Sequence, residues 1–171
     1  MGYRYDAIVL MGPPGCGKSF IGNRLDAAGV ASYLELEALL RQEFGVNREF
    51  KANLKEAGKF VWRSYHDQLR ESERAVALES AGWLDRPLLE SLQAKYRVAL
   101  VHVQAERSVC IDRVVSRAPE KNIINTLYRG EIGRAYDAWQ DLMLPSCHFA
   151  HAVDGTQVEE AVESIRGLLS V

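Results

Sequence analysis

The chain alternates short, almost unbroken apolar runs with longer stretches in which an apolar residue returns every third or fourth position. Ala7-Ile-Val-Leu-Met11 contains no polar side chain, as expected of a strand covered on both faces. Ser32 to Leu36, Ala75 to Leu78, Arg97 to Val103 and Phe149 to Val153 are read as four further strands. The intervening segments carry helical spacing. Helices are predicted over Lys18 to Ala28, with Ile21 and Leu25 inward, and over Glu37 to Phe44. A long helix over 48–72 would bury Phe50, Leu54, Val61, Tyr65 and Leu69 on one stripe. Pro87 suits the first turn of a helix that runs to Lys95. Arg107 to Arg117 is stopped by Pro119, Thr126 to Met143 places Ile132, Ala135, Trp139 and Met143 on one side, and Val158 to Leu169 closes the chain. Residues 117–125 are polar and read as a surface loop. Strands alternating with helices predict an α/β fold of three layers, a five-stranded parallel sheet with helices on both faces. No repeat, low-complexity tract or linker interrupts it, so residues 1–171 are taken as one domain.

Charge and cysteine content narrow the class. The 21 basic and 23 acidic residues nearly cancel, so no bulk positive field draws the chain to nucleic acid. Cys16, Cys110 and Cys147 lack paired or metal-like spacing and fit reduced thiols in a cytoplasmic protein. No apolar run is long enough to span a bilayer. Asp6 and the lack of a small-residue cleavage site speak against a signal peptide, and Asp6 also stands where myristoylation after Gly2 calls for Ser or Thr. His102, His148 and His151 show no metal-ligand pattern. Trp62 and Trp139 are expected in the core, while Trp83 could line a pocket.

The chemistry lies after the first strand. Gly12-Pro13-Pro14-Gly15-Cys16-Gly17-Lys18-Ser19 matches G-x-x-x-x-G-K-[ST], the Walker A phosphate-binding loop. Backbone N–H groups must converge on phosphate oxygens there, and side chains would block the approach, hence the glycines. The following helix, opening through Lys18, Ser19 and Phe20, aims its free N–H groups and positive dipole end at the anion. Lys18 would reach the β- and γ-phosphates of ATP, and the Ser19 hydroxyl would bind Mg²⁺. Cys16 is read as a small spacer. An acidic residue after a neighbouring hydrophobic strand should complete the metal side; Glu79, after Ala75-Val-Ala-Leu78, and Glu35 on the second strand are the two candidates.

With these features the chain resembles the shikimate kinase group of small P-loop kinases. That family ends its second strand in Asp-x-Asp, and Tyr33-Leu-Glu-Leu-Glu37 occupies the place with glutamates. The resemblance sets Glu35 near the metal and γ-phosphate and Glu37 at the acceptor hydroxyl, both on one strand face by alternation. The family's acceptor-gripping helix arginine corresponds to Arg63, which also reads as a solvated helix residue. Glu79-Ser80-Ala81-Gly82 stands where the family has three glycines, so Ser80 and Gly82 would border an altered acceptor pocket. Arg113 and Arg117, one turn apart, fall where the family's lid begins; Arg117 would act as the lid arginine over residues 117–125 and Arg113 would touch the nucleotide. Arg129 and Arg134 are the nearest counterparts of a further acceptor arginine, and Asp154-Gly-Thr156 is similar to the adenine-side loop. The resemblance implies an Mg-ATP-dependent kinase of a small hydroxyl acceptor, monomeric or dimeric. The competing reading is a nucleotide-dependent switch ATPase with a protein partner, in which Glu79 would polarise water.

Overall fold

The computed structural model describes residues 3–44, 54–82, 86–116 and 129–171. Among the described residues, five parallel strands form one sheet: β1 (Ala7–Met11), β2 (Ser32–Tyr33), β3 (Val76–Ser80), β4 (Val98–Gln104) and β5 (His151–Asp154). Their order is β2-β3-β1-β4-β5. The all-apolar β1 lies between β3 and β4, in register Leu10 to Glu79 and Met11 to His102, and every residue of it is buried. This is the position that a strand without polar side chains can occupy at no desolvation cost.

Among the described residues the helices are α1 (Lys18–Ala27), α2 (Leu36–Phe44), α3 (Leu54–Glu71), α4 (Arg86–Gln93), α5 (Arg107–Val115), α6 (Arg129–Ala138) and α7 (Val158–Leu169). Alternate strand residues divide the core between two faces. Ile8, Leu10, Ala77, Ala99 and Val101 pack with Ile21 and Leu25 of α1, Cys110 of α5, and Ala161, Val162 and Ile165 of α7. Val9, Met11, Leu78 and Leu100 pack with Val61 and Tyr65 of α3, Leu88 and Leu92 of α4, and with Trp139 and Met143. The three-layer α/β architecture is the one that the sequence pattern predicts.

Several boundaries differ, each for a tertiary reason. The second strand ends at Tyr33 rather than Leu36, because the Leu36 N–H is captured by the Glu79 carboxylate at 3.2 Å and α2 begins there. The strand alternation invoked for Glu35 and Glu37 therefore does not apply: Glu37 is already in the first turn of α2. β3 runs two residues past Leu78 and takes Glu79 and Ser80 into the sheet. The helix expected to reach Met143 changes after Ala138 into one wide π turn, Trp139–Met143. Such turns re-aim side chains; here Trp139 is buried, its Nε1 donating to the Ala81 carbonyl at 3.1 Å. Trp62, expected in the core, is 40% exposed, with Nε1 donating to Ser91 Oγ at 3.3 Å and Lys95 above its ring. The expected segment 48–53 and the loop 117–125 lie outside the described residues. Arg107 donates twice to Asp137, at 2.7 and 3.0 Å, and ties α5 to α6 on either side of 117–128.

His102 sets a stability threshold in pH. Its ring is buried in β4, stacks on Trp139 and meets Phe149 at a tilt, both with centroids 5.0 Å away, and leaves Nε2 without a partner. Burial holds its pKa below the ordinary 6.5, and His66, packed under Trp62, is lowered for the same main reason. The unfolded chain then binds more protons than the folded one as pH drops under 6.5. Stability is full above that value and declines as pH falls through the lowered folded pKa. Carboxylates held low by partners, such as Asp6 beside Arg97, act only below 3.8. Thermal melts between pH 7 and pH 5 are expected to show a falling Tm in the wild type and a shallower fall in His102→Phe.

Candidate active site

The loop 12–19 turns at the carboxyl end of β1 and its backbone is built by its glycines. Gly15 and Gly17 take φ of 83° and 112°, the left-handed region that side chains disfavour. The loop is also crowded from outside. A Cβ on Gly12 would meet the Val103 carbonyl, one on Gly15 the Cys110 carbonyl, and one on Gly155 would run into the carbonyl oxygen of Cys16. Gly17 is the N-cap of α1, and its carbonyl accepts from Ile21 at 3.0 Å. Helix N-termini leave backbone donors free, and this one opens beside the loop.

Lys18 folds back over the loop. Its Nζ donates to the carbonyls of Gly12 at 2.8 Å and Pro13 at 3.1 Å, and lies 3.7 Å from Cys16 Sγ. Cys16 is fully buried beneath it. Pro13, buried, and Pro14, half-buried, form the bend, and Phe20 is 68% exposed on the first turn of α1. The next side chain, Ser19, donates from Oγ to Glu79 Oε2 at 2.9 Å.

Glu79 is the centre of the arrangement. It is 5% exposed at the end of β3, beside β1. One carboxylate oxygen receives Ser19 from α1, and the other receives the first amide of α2. Its own backbone carbonyl accepts from Tyr65 Oη of α3 at 2.9 Å. Three helices are thus fastened to one buried acid. Burial of a carboxylate is costly without such donors. Tyr33 adds its ring against Gly22 of α1, where a Cβ would have no room. Burial and the Glu79 charge hold the Tyr33 phenol well above its usual pKa.

The other sequence candidates fall as follows. Arg113 Nη1 reaches the carbonyls of Gly15 and Cys16, both at 3.3 Å, and of Gly155 at 3.2 Å. It clamps the loop to the β5–α7 turn from below. Asp154 is exposed and accepts from Thr156 N and Oγ1, both at 2.7 Å, which holds its carboxyl below the ordinary range. Glu35 is half-buried ahead of α2, its carbonyl accepting from Leu39 N at 3.1 Å. Arg63 is exposed on α3, and Arg134 is exposed on α6. Ser80 is buried, with Oγ accepting from Gly82 N at 2.7 Å. Gly82, at φ 81°, packs on Met143 and Met11. Arg117 and Trp83 lie outside the described residues.

Within Asp154-Gly-Thr156 the sequence singles out Asp154 for the nucleotide, whereas Gly155 is the residue that touches the loop. The signal was the Asp-Gly step after a strand, a turn with close backbone approach. Gly155→Ala is expected to push the β5–α7 turn off Cys16, cost ~1–3 kcal/mol of stability and weaken nucleotide binding. Melting and nucleotide titration of the variant check both effects.

The donor set fits magnesium brought in with a nucleotide. Mg²⁺ takes oxygen ligands and is usually held by one or two protein groups plus phosphates and water. Ser19 Oγ and the Glu79 carboxylate are such oxygens, side by side and next to the loop. Among the described residues no cluster of three His, Cys, Asp or Glu could hold a metal alone.

Comparison with known proteins agrees with this fold. No curated protein sequence matches the chain. The fold is similar to that of a shikimate kinase from Bacteroides thetaiotaomicron, with TM-score 0.72, 14% identity and coverage of 95% of this chain and 97% of that one. It is also similar to a gluconokinase from Sinorhizobium meliloti 1021, with TM-score 0.58, 20% identity and coverage of 94% and 89%. A third similar structure is a deoxyadenosine kinase from M. mycoides with bound dATP, with TM-score 0.57, 13% identity and coverage of 94% and 97%. Identities this low establish the fold alone. A family model described as AAA domain matches residues 8–135, which include β1 from Ile8 onward, the loop, Glu79 and α5. The chain therefore belongs to the AAA domain family and has the fold of the small P-loop kinases.

Proposed function

We propose that this protein is an Mg-ATP-dependent phosphotransferase that moves the γ-phosphoryl group to a hydroxyl of a small molecule. The observation that carries the reading is the Ser19–Glu79 pair, placed directly behind Lys18 and fastened through Glu79 to α2 and α3. That connection joins the phosphate side of the site to the helices that would line an acceptor pocket. Similar folds bear the names of kinases for shikimate, gluconate and deoxyadenosine, which supports a small acceptor without naming it.

In this reading the loop amides and the N-terminus of α1 bind the phosphates. Lys18 exchanges its contacts with Gly12 and Pro13 for phosphate oxygens and stabilises charge as it spreads in the transition state. Ser19 and Glu79, or Glu35 in place of Glu79, would hold Mg²⁺, which would supply positive charge to neutralise the phosphates. Glu37, at the N-terminal turn of α2, orients the acceptor hydroxyl or accepts its proton. Arg63, Ser80 and Gly82 border the acceptor. Arg117 closes over the transferred group from the segment 117–125 and excludes water. Arg113 serves the nucleotide through the loop it clamps. The whole chain, residues 1–171, acts as one cytoplasmic domain.

The test is acceptor dependence. ADP release from Mg-ATP should be slow alone and rise with one member of a panel of shikimate, sugar acids, nucleosides and nucleotides. A nucleotide-dependent switch with a protein partner would ignore the whole panel.

A further inference from the structure

Tyr33 closes β2 at the edge of the sheet, and its ring fills the space left by Gly22 on α1. Its hydroxyl is buried close to Ser19 and Glu79, near enough to feel both, yet it meets neither in full hydrogen-bond geometry. Buried polar atoms are nearly always paired in folded proteins, and an exception at a site calls for an explanation. Packing supplies none: a phenylalanine would fill the same space without an orphaned hydroxyl. The neighbours do supply one. The Glu79 carboxylate uses one bond at each oxygen, from Ser19 and from Leu36 N, and a carboxylate has about four lone-pair sites. Ser19 Oγ spends its proton on Glu79 and keeps its lone pairs.

We infer that Tyr33 is a positioning residue for the hydrated divalent cation of this site: with the cation on Ser19 Oγ, the Tyr33 hydroxyl donates to the Glu79 carboxylate and fixes it toward the cation's water shell. The inference rests on reading Ser19 and Glu79 as the cation side of the nucleotide site. Groups that orient metal-binding oxygens without touching the metal commonly alter metal affinity by about 10-fold or more.

Tyr33→Phe removes the hydroxyl and keeps the ring against Gly22. Mn²⁺, followed by electron paramagnetic resonance in the presence of ADP, is the probe for wild type and variant. The variant should bind Mn²⁺ about 10-fold more weakly. Its affinity for ADP without metal should stay unchanged, and its Tm should be equal or higher, since an unpaired buried group has been removed. An unchanged Mn²⁺ affinity with wild-type uptake intact would overturn this inference alone. So would an equal loss of ADP affinity with and without metal, or a lower Tm, each of which marks a purely structural role for the hydroxyl. Failure of the wild type to take up Mn²⁺ with ADP would overturn the cation-side reading and this inference together.

Discussion

Lys18→Ala is expected to lower nucleoside triphosphate turnover about 1,000-fold, the range for losing one preorganised charge donor in a water-excluded site. The ammonium lies on the loop's own carbonyls, at 2.8 and 3.1 Å. It is therefore already at the place where phosphate oxygens must come, and little reorganisation is needed when it turns to them. The side chain is only partly buried, so the fold should survive and Tm should change little. Nucleotide affinity should fall less than turnover, because Lys18 gains most as charge moves onto the transferred group. Steady-state kinetics of ADP release check the prediction. Turnover within about tenfold of the wild type would show that the charge is supplied elsewhere.

Glu79→Gln is expected to separate structure from metal binding. The amide oxygen can still receive Leu36 N, and the amide nitrogen can donate to Ser19 Oγ, which turns to accept. The three-helix attachment is then kept and the folded state persists. The negative charge beside Ser19 is lost, and nucleotide affinity in the presence of Mg²⁺ should fall by about 10- to 100-fold, while affinity without metal stays the same. Glu79→Ala should add a stability loss of ~1–3 kcal/mol, since it strips the acceptor from the half-buried Ser19 hydroxyl and from the first amide of α2. Calorimetric nucleotide titrations with and without Mg²⁺, paired with melts, distinguish the two. Equal behaviour of the Gln variant and the wild type would assign the metal side to Glu35.

The parts of this protein that could be read from sequence are those set by neighbours in the chain. β1, the glycine loop, α1 and α7 each carry their own signal: an unbroken apolar run, a phosphate-binding spacing, a 3.6-residue stripe. The boundary between β2 and α2 was misplaced because it is decided by Glu79, 43 residues away. The π turn at Trp139 depends on a carbonyl at Ala81, 58 residues away. Arg113 looked like a nucleotide contact by position, yet its visible bonds go to Gly15, Cys16 and Gly155, up to 98 residues distant. Trp62 is expected in the core, although its position on α3 leaves it at the surface beside Lys95 and Ser91. The candidate site was legible in its phosphate half, where residues are contiguous. Its other half is assembled from β2, β3, α2 and α3, and residues such as Tyr33, Gly22 and Tyr65 gain their roles only from that assembly.

The central claim is transfer of a phosphoryl group to a hydroxyl acceptor rather than to water. Phosphorus nuclear magnetic resonance of Mg-ATP incubated with the chain and the acceptor panel tests it directly. The account predicts that the γ-phosphorus reappears as a phosphate monoester of one acceptor, at a rate lowered about 1,000-fold by Lys18→Ala. Reappearance only as inorganic phosphate, at one rate with every acceptor and with none, would contradict it and leave a nucleotide-hydrolysing switch.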